Sequence, residues 1–412
     1  MKKQLLRLTF LVATIAVIFT ACQKEFIDKE AELLQNIEES SKLITYDQAQ
    51  VIEGQYIIVF KEDAVANDRA SITKSNYSAK QEEMKAFASG LFKERNVAPR
   101  EIPHAYVKTI KGVSMKLTDQ EVQELRKDKK IAYIEQDQMF HVTMGGPPGG
   151  GGGGDPSQTT PYGVTRVGGA IDGSGAGKAW IIDSGIDLDH NDLNVDVANS
   201  ISFLTKGGPS ASNPDDQNGH GTHVAGTVGA IDNAIGAIGV AAGAQVVAVR
   251  VLDKSGSGSN SGVIAGVDYV AANASSGDAA NMSLGGGVST ALDNAVIAAS
   301  SSCPFALAAG NESQHANNSS PARANGSNIY TVSSMTSSDT WSSFSNFGNP
   351  PVDYCAPGSG VYSTYKGGGY ATLSGTSMAS PHVCGILLIG GISSDGNVIG
   401  DPDGNADPIA HH

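Results

Sequence analysis

The chain has 412 residues, of which 17% are charged and 40% hydrophobic, which excludes a disordered chain and a bundle of membrane spans and leaves room for a leader, a small domain and a large one. The formal net charge of −14 comes entirely from residues 155–412, where 7 Lys and Arg face 21 acids, 20 of them Asp, whereas residues 1–154 hold 21 of each sign. So acidic a half repels phosphate backbones and argues against a nucleic-acid partner; short carboxylates suit solubility, loops, caps or hard cations such as calcium.

The first 22 residues read as a targeting leader. "MKKQLLR" is the positive start, "LTFLVATIAVIF" the apolar stretch and "TAC" the small-residue end. The apolar run is short for a transmembrane span. "FTAC" has the form of a bacterial lipobox, so Cys22 is the candidate lipidation site and an extracytoplasmic, lipid-tethered precursor is expected. A plain secretory leader is the alternative, and it would put bulky Phe19 three residues before the cut. Residues 23–53 are polar and Glu-rich and read as a spacer.

From Gly54 to Met144 the pattern sharpens. "QYIIVFK" predicts a strand, "SAKQEEMKAFASGLFKER" a helix, "HAYVKTI" and "GVSMKL" two strands, "TDQEVQELRKD" a capped helix and "IAYIEQDQMFHV" a last strand. The order β-α-β-β-α-β predicts a ferredoxin-like α+β domain, a fold that by itself names no function and would serve an independent binding domain equally well.

Residues 145–158 read as a linker and processing region. Eight glycines and two prolines fill Gly145 to Gly154. Ten such residues span roughly 17 Å on average and about 35 Å at full stretch. The segment is either a tolerated linker or a seam made to be cut.

After it, "KAWIIDSG", "AQVVAVRVL", "AANMSLG", "CPFALAAGN" and "NIYTVSS" predict strands. "GHGTHVAGTVGAI", "NSGVIAGVDYVAANA", "STALDNAVIAASS" and "TSMASPHVCGILLI" predict helices. This alternation predicts an α/β fold: a mostly parallel sheet with helices on both faces and a site at the carboxyl ends of the strands. Asp183 ends a strand, His220 opens a small-residue helix, and Ser377 stands at a turn-to-helix junction where N–H groups point outward. Singly, these are a cap, a core histidine and another cap. Together they form an acid, a base and a nucleophile at the ends of one sheet. Cys303, Cys355 and Cys384 lie in apolar contexts and read as buried small hydrophobes, with at most one disulfide among them. His223 completes an H-x-x-H spacing but lacks the Glu of a zinc motif, so it reads as a packed helix residue.

The chain order Asp, His, Ser and the stretches "WIIDSGID", "NGHGTHVAG" and "SGTSMASPH" resemble the subtilisin-like serine proteases, the proteinase K branch in particular, from Thr159 to Gly385. The half before the seam resembles that family's inhibitory, fold-assisting propeptide. The resemblance implies a serine endopeptidase catalytic domain over 159–412, acting on proteins and peptides and needing no cofactor for catalysis. It implies Ser377 as nucleophile, His220 as base, Asp183 as its orienter and Asn311 in "AAGNES" as oxyanion donor. It implies a substrate strand held between Ser283, Leu284 and Gly285 on one edge and Gly256, Ser257 and Gly258 on the other. Ala308, Ala309 and Gly310 would wall the pocket for the residue before the scissile bond. These stretches carry no charge, which predicts broad cleavage after apolar or aromatic residues. Asn260 stands where subtilisin has a Tyr, which predicts a more open distal subsite. Asp353, with the carbonyls of Ser327 and Ile329, matches a structural calcium site. The tail "SSDGNVIGDPDGNADPIAHH" departs from the family and reads as an irregular loop or a second cation site. A monomer is expected, with the propeptide tail from Phe140 to Met144 in the cleft and self-cleavage near Met144 or within the glycines. The rival reading is a protein that cuts itself once, stays capped and acts as a binding module.

Overall fold

The computed structural model describes residues 42–46, 50–66, 68–142 and 156–412. The leader with Cys22, most of the spacer, and the glycine run with Met144 lie outside them. The first domain runs β1 (Leu43–Ile44), β2 (Val51–Phe60), α1 (Tyr77–Glu94), β3 (His104–Tyr106), β4 (Gly112–Lys116), α2 (Asp119–Leu125) and β5 (Ile131–His141). The spatial order is β3-β4-β2-β5-β1, the ferredoxin-like arrangement with one added strand. α1 buries Tyr77, Met84, Ala88, Leu91 and Phe92, one helical face, in a core shared with Ile58 and Phe60 of β2. α2 starts with the capping box its sequence announces: Thr118 Oγ1 accepts from Glu121 N, and Glu121 Oε2 accepts from Thr118 N at 2.8 Å, worth about 1 kcal/mol.

Two expectations need correcting here. The spacer does not reach residue 53. Leu43 pairs parallel with Ile134, Lys42 O accepts from Ile134 N, and β2 begins at Val51. The outer edge of β5 would otherwise be bare, and polar flanking residues hid a two-residue strand. "HAYVKTI" is also shorter as a strand than predicted. It stops at Tyr106 because the N–H groups of Val107, Lys108 and Thr109 leave the ladder for the carboxylate of Asp268, in the other domain.

That second domain begins with α3 (Tyr162–Arg166) and β6 (Ile171–Asp172). Then come β7 (Ala179–Asp183), β8 (Asn194–Val195), β9 (Ile201–Ser202), α4 (His220–Gly229), β10 (Ala241–Ala242), β11 (Gln245–Arg250), β12 (Ser257–Ser259), α5 (Asn260–Asn273), β13 (Ala279–Met282), α6 (Thr290–Ala299) and β14 (Phe305–Ala308). β15 (Ile329–Met335), β16 (Val352–Pro357), β17 (Val361–Tyr365), β18 (Gly369–Leu373), α7 (Thr376–Leu388), β19 (Ser393–Asn397) and β20 (Pro408–His411) complete it. The main sheet has the order β19-β20-β16-β15-β14-β13-β7-β11-β8, with β9 also on β11, and only β19 and β20 pair antiparallel. β7 shows why its sequence is a continuous apolar run. Ile181 faces a core with Val224 and Val228 of α4 and Val383 and Ile386 of α7. Trp180 and Ile182 face the opposite core with Val263 and Val267 of α5 and Leu292 and Val296 of α6. The tail is no irregular loop: β20 extends the sheet along β16, Ile409 opposite Cys355, and buries Ile409 and Ala410.

The two domains share a core. While Ile58 and Phe60 of β2 face α1, their neighbours Ile57 and Val59, with Tyr106, join the cluster under α5 and α6. Each such side chain contributes up to about 1.5–3 kcal/mol when taken from water, so this shared face alone makes the first domain a firm lid. β5 then runs past its own sheet and pairs antiparallel with β12, His141 opposite Ser257 and Phe140 opposite Gly258.

Candidate active site

Asp183 is the last residue of β7 and fully buried. Its Oδ1 accepts from Ser184 N at 2.7 Å and, with Oδ2, from His220 Nδ1 at 2.8 and 3.0 Å. His220 is the first residue of α4. Gly221 has to be glycine, since a Cβ there would lie 2.1 Å from Gly185 O and 3.2 Å from Asp183 Cβ. Burial works against charge on His220, but Asp183, with help from Asp216, outweighs it and holds the imidazole above its ordinary value. A proton on Nδ1 leaves Nε2 as the free base, and Nε2 is buried with no hydrogen-bond partner among the described residues.

Ser377 lies one residue into α7, which packs against α4. Its hydroxyl donates to Ser283 O at 3.1 Å. Asn311 follows β14, with Oδ1 accepting from Thr376 N at 2.8 Å and Thr376 Oγ1 at 3.0 Å. That fixes the amide flip and leaves Nδ2 as the outward donor. A cavity of about 370 Å³ is lined by Ser377, Asn311, Ser283–Gly285 and Ala308–Gly310. Gly256–Gly258 bound the other side, where Gly256 O accepts from Val142 N at 2.9 Å. Eight of the candidate positions thus line one cavity, Gly256–Gly258 lie along the other side of β5, and Met139 and His141 of β5 line the cavity as well. Phe140 is buried against Gly286, where an added Cβ would sit 2.8 Å from its ring. Asn260 is buried at the start of α5.

Away from the cleft, Asp353 Oδ2 accepts from Thr331 N at 2.9 Å, two residues along β15 from Ile329. Burial pushes this carboxyl up to about 6. No Lys or Arg among the described residues pairs with it. His223 is packed, its Nε2 facing the carbonyls of Val361 and Ala371, and burial pushes it down to about 3. Cys303, Cys355 and Cys384 are all free and buried.

Three further residues reach the site, and two of them, Asn346 and Gln50, carry no local signal. Glu312 lines the cavity and its Oε2 accepts from Asn311 N at 3.0 Å. Asn346, from a distant turn, lies beneath the Asn311 loop. Gln50 reaches the cleft, where its Oε1 accepts from Gly287 N at 3.0 Å. Of these, only Glu312 could have been found, as the acid following Asn311.

Residues 180–389 match the subtilase family model and residues 55–143 the peptidase inhibitor I9 model. The chain is 36% identical over 359 residues to the extracellular serine proteinase of Thermus sp. strain Rt41A, covering 85% of this chain and 83% of that one. It is 42% identical over 294 residues to the alkaline serine exoprotease A of Vibrio alginolyticus, covering 68% of this chain, but it spans only 52% of the exoprotease's length. The crystal structure of a cold-adapted subtilisin-like serine proteinase superposes with a TM-score of 0.53 at 42% identity, covering 60% of this chain and 96% of that one. The chain belongs to the subtilase family. It is a subtilisin-like serine endopeptidase preceded by its own I9 inhibitor domain.

In this subtilase the inhibitor strand β5 also places carboxylates at two helix starts of the enzyme domain. Glu135 accepts from Ser289 Oγ and from Ala291 N at 2.9 Å, at the head of α6. Asp137 accepts from Ser261 N at 3.1 Å and from Ser261 Oγ, at the head of α5. Negative charge is favourable there. Burial nevertheless outweighs the hydrogen bonds and raises Glu135 to about 7 and Asp137 to about 6. Asp268, which gathers Val107 N, Lys108 N, Thr109 N, Thr109 Oγ1 and Tyr77 OH, is raised by burial as well.

Proposed function

We propose that the mature enzyme hydrolyses peptide bonds by an acyl-enzyme route with Ser377, His220 and Asp183, and that the precursor releases itself by the same chemistry. The Asp183–His220 pair with an unpartnered, buried Nε2 carries this reading. Ser377 Oγ turns from Ser283 O to His220 Nε2, gives up its proton there and attacks the scissile carbonyl. Asp183 keeps the proton on Nδ1 and stabilises the imidazolium. Asn311 Nδ2 and Ser377 N–H receive the oxyanion. The C–N bond then breaks as His220 returns the proton to the leaving amine. Water, deprotonated in turn by His220, frees the acid and Ser377.

Substrate follows the path of β5, in register with β12, so main-chain pairing makes the grip indifferent to most sequence. The pocket walls at Ala308–Gly310 favour apolar or aromatic residues before the scissile bond, with Glu312 the one acid at the cavity. Hydrolysis of a panel of peptide amides tests this: leaving groups after Phe, Leu or Met should be cut fastest, and strict cleavage after Arg would overturn it.

We propose that Asp353 holds a calcium ion with the carbonyls of Ser327 and Ile329: the carboxylate is half-buried, has no cationic partner among the described residues, and the donors are all oxygen. The ion would stabilise the fold and take no part in the chemistry. Chelation is expected to lower Tm by roughly 5 °C or more, and Asp353→Asn to abolish the response; an unchanged Tm in wild type counts against the site.

The Thermus relative is named extracellular, which supports an extracytoplasmic place for this enzyme. Lipid at Cys22 would sit on the inhibitor side of the cut, so processing near Met144 would unhook a soluble, acidic protease from the membrane.

A further inference from the structure

We infer that Asn346 is a positioning residue for the oxyanion donor, holding from beneath the backbone that carries Asn311. This rests on the reading of Asn311 given above. Asn346 is fully buried, 35 positions away in sequence, and spends its whole side-chain hydrogen-bonding capacity on one loop. Its Nδ2 donates to Ala309 O at 3.0 Å and to Glu312 Oε2 at 2.7 Å. Its Oδ1 accepts from Glu312 N at 3.0 Å and Gln314 N at 3.1 Å. Its own N–H donates to Gly310 O at 2.9 Å. Glu312 Oε2, held in this way, accepts the N–H of Asn311 itself. Residues on both sides of Asn311 are therefore tied to one side chain, while Thr376 ties the Asn311 amide from the opposite side.

The fit under the loop is close. Gly310 has φ +107°, and a Cβ on it would lie 2.2 Å from Asn346 Nδ2. Only an amide satisfies the set, because two donors and two acceptors are used at once. An oxyanion donor acts only when it is placed where the charge develops, within hydrogen-bond distance of the transition state rather than of the substrate. Loosening its loop should consequently cost turnover and leave substrate binding alone.

Asn346→Asp keeps the volume but sets an oxygen against Ala309 O and Glu312 Oε2. We expect its kcat and its self-cutting rate to fall roughly tenfold with KM within about twofold. Affinity for a peptide boronate, which forms a tetrahedral adduct on Ser377, should weaken by the same factor, while a product-like peptide acid binds unchanged. A fall in kcat and in boronate affinity with KM and product affinity held is a split that a general loss of stability would not produce. Asn346→Ser, read beside Tm, serves if the Asp variant folds poorly. A KM rise alone, or an unchanged boronate affinity in the folded variants, overturns the inference. Asn311→Ala run in parallel separates the two claims. If it loses on the order of 10²–10³-fold while both Asn346 variants keep full turnover, only the positioning role fails. If Asn311→Ala itself keeps full turnover, the oxyanion reading falls and takes this one with it.

Discussion

A Ser377→Ala chain is expected to remain one uncut polypeptide while the wild type splits between Met144 and Asp155, visible on a gel and by intact mass. The reason lies in what the variant keeps. Ser377 is buried at the head of α7 and donates one hydrogen bond, to Ser283 O, so alanine removes the nucleophile and little else. Asp183–His220, the Asn311 amide and the β5–β12 pairing all persist. Turnover of an added peptide should fall about 10⁶-fold, the scale known for subtilisin itself. If both chains split alike, another protease does the cutting. If neither splits, the seam is only a linker and a capped, non-catalytic role gains ground. In the wild type, the mature enzyme should appear in the soluble fraction and the inhibitor fragment with membranes; mature enzyme confined to membranes contradicts release by processing.

The grip of the cut inhibitor domain is expected to weaken as pH rises from about 5 to about 8, by tenfold or more. Glu135 and Asp137 have ordinary carboxylate values when free in water and are raised to about 7 and about 6 in the complex, by burial. An acid raised on binding means that the complex holds more protons than its separated parts. The stabilisation is therefore fully present below the ordinary carboxylate range and is lost as pH climbs through about 6 and about 7. This is opposite to the expectation from helix capping alone, in which the charged form would bind better. Asp293 faces Glu135 as a further negative group and acts in the same direction, although Arg323 partly screens it. Titrating active enzyme after processing, at a series of pH values, measures the effect. Glu135→Gln is neutral throughout and should flatten the profile and grip harder than wild type at pH 8. A grip that tightens toward alkaline pH, or an unaltered profile in the variant, refutes the account.

The residues of the cleft were legible because each sits where a local pattern ends. Asp183 closes an apolar run, His220 and Ser377 open small-residue helices, and Asn311 follows a strand at Gly310. The order of strands in the first domain was legible from the same periodicity. What escaped depends on pairs far apart in the chain. Asp268 ends β3 early from 160 positions away by way of Lys108, and no pattern within "HAYVKTI" announces that loss. Glu135 and Asp137 look like the polar positions of a half-exposed strand, yet they are fully buried against helices of the other domain. β1 and β20 are only two and four residues long, too short for a strand pattern to show, and owe their existence to a neighbouring edge. The direction of the Ser377 hydroxyl, toward Ser283 rather than His220, is a choice among rotamers that composition does not encode.

The link from Val142, held by Gly256, to Ser157, bridged to Ile235, is the one covalent join between inhibitor and enzyme. While it is intact, the inhibitor meets the cleft at a fixed effective concentration, about millimolar for a short connection of this kind, whatever the abundance of the protein. Once it is cut, the same contacts obey mass action. The bound fraction would then depend on how many molecules share a volume, so cut molecules kept close together would stay inhibited and an enzyme that diffused away would be freed by dilution alone. One hydrolysed bond would convert an inhibitor indifferent to concentration into a sensor of crowding, with the contacts of the interface kept.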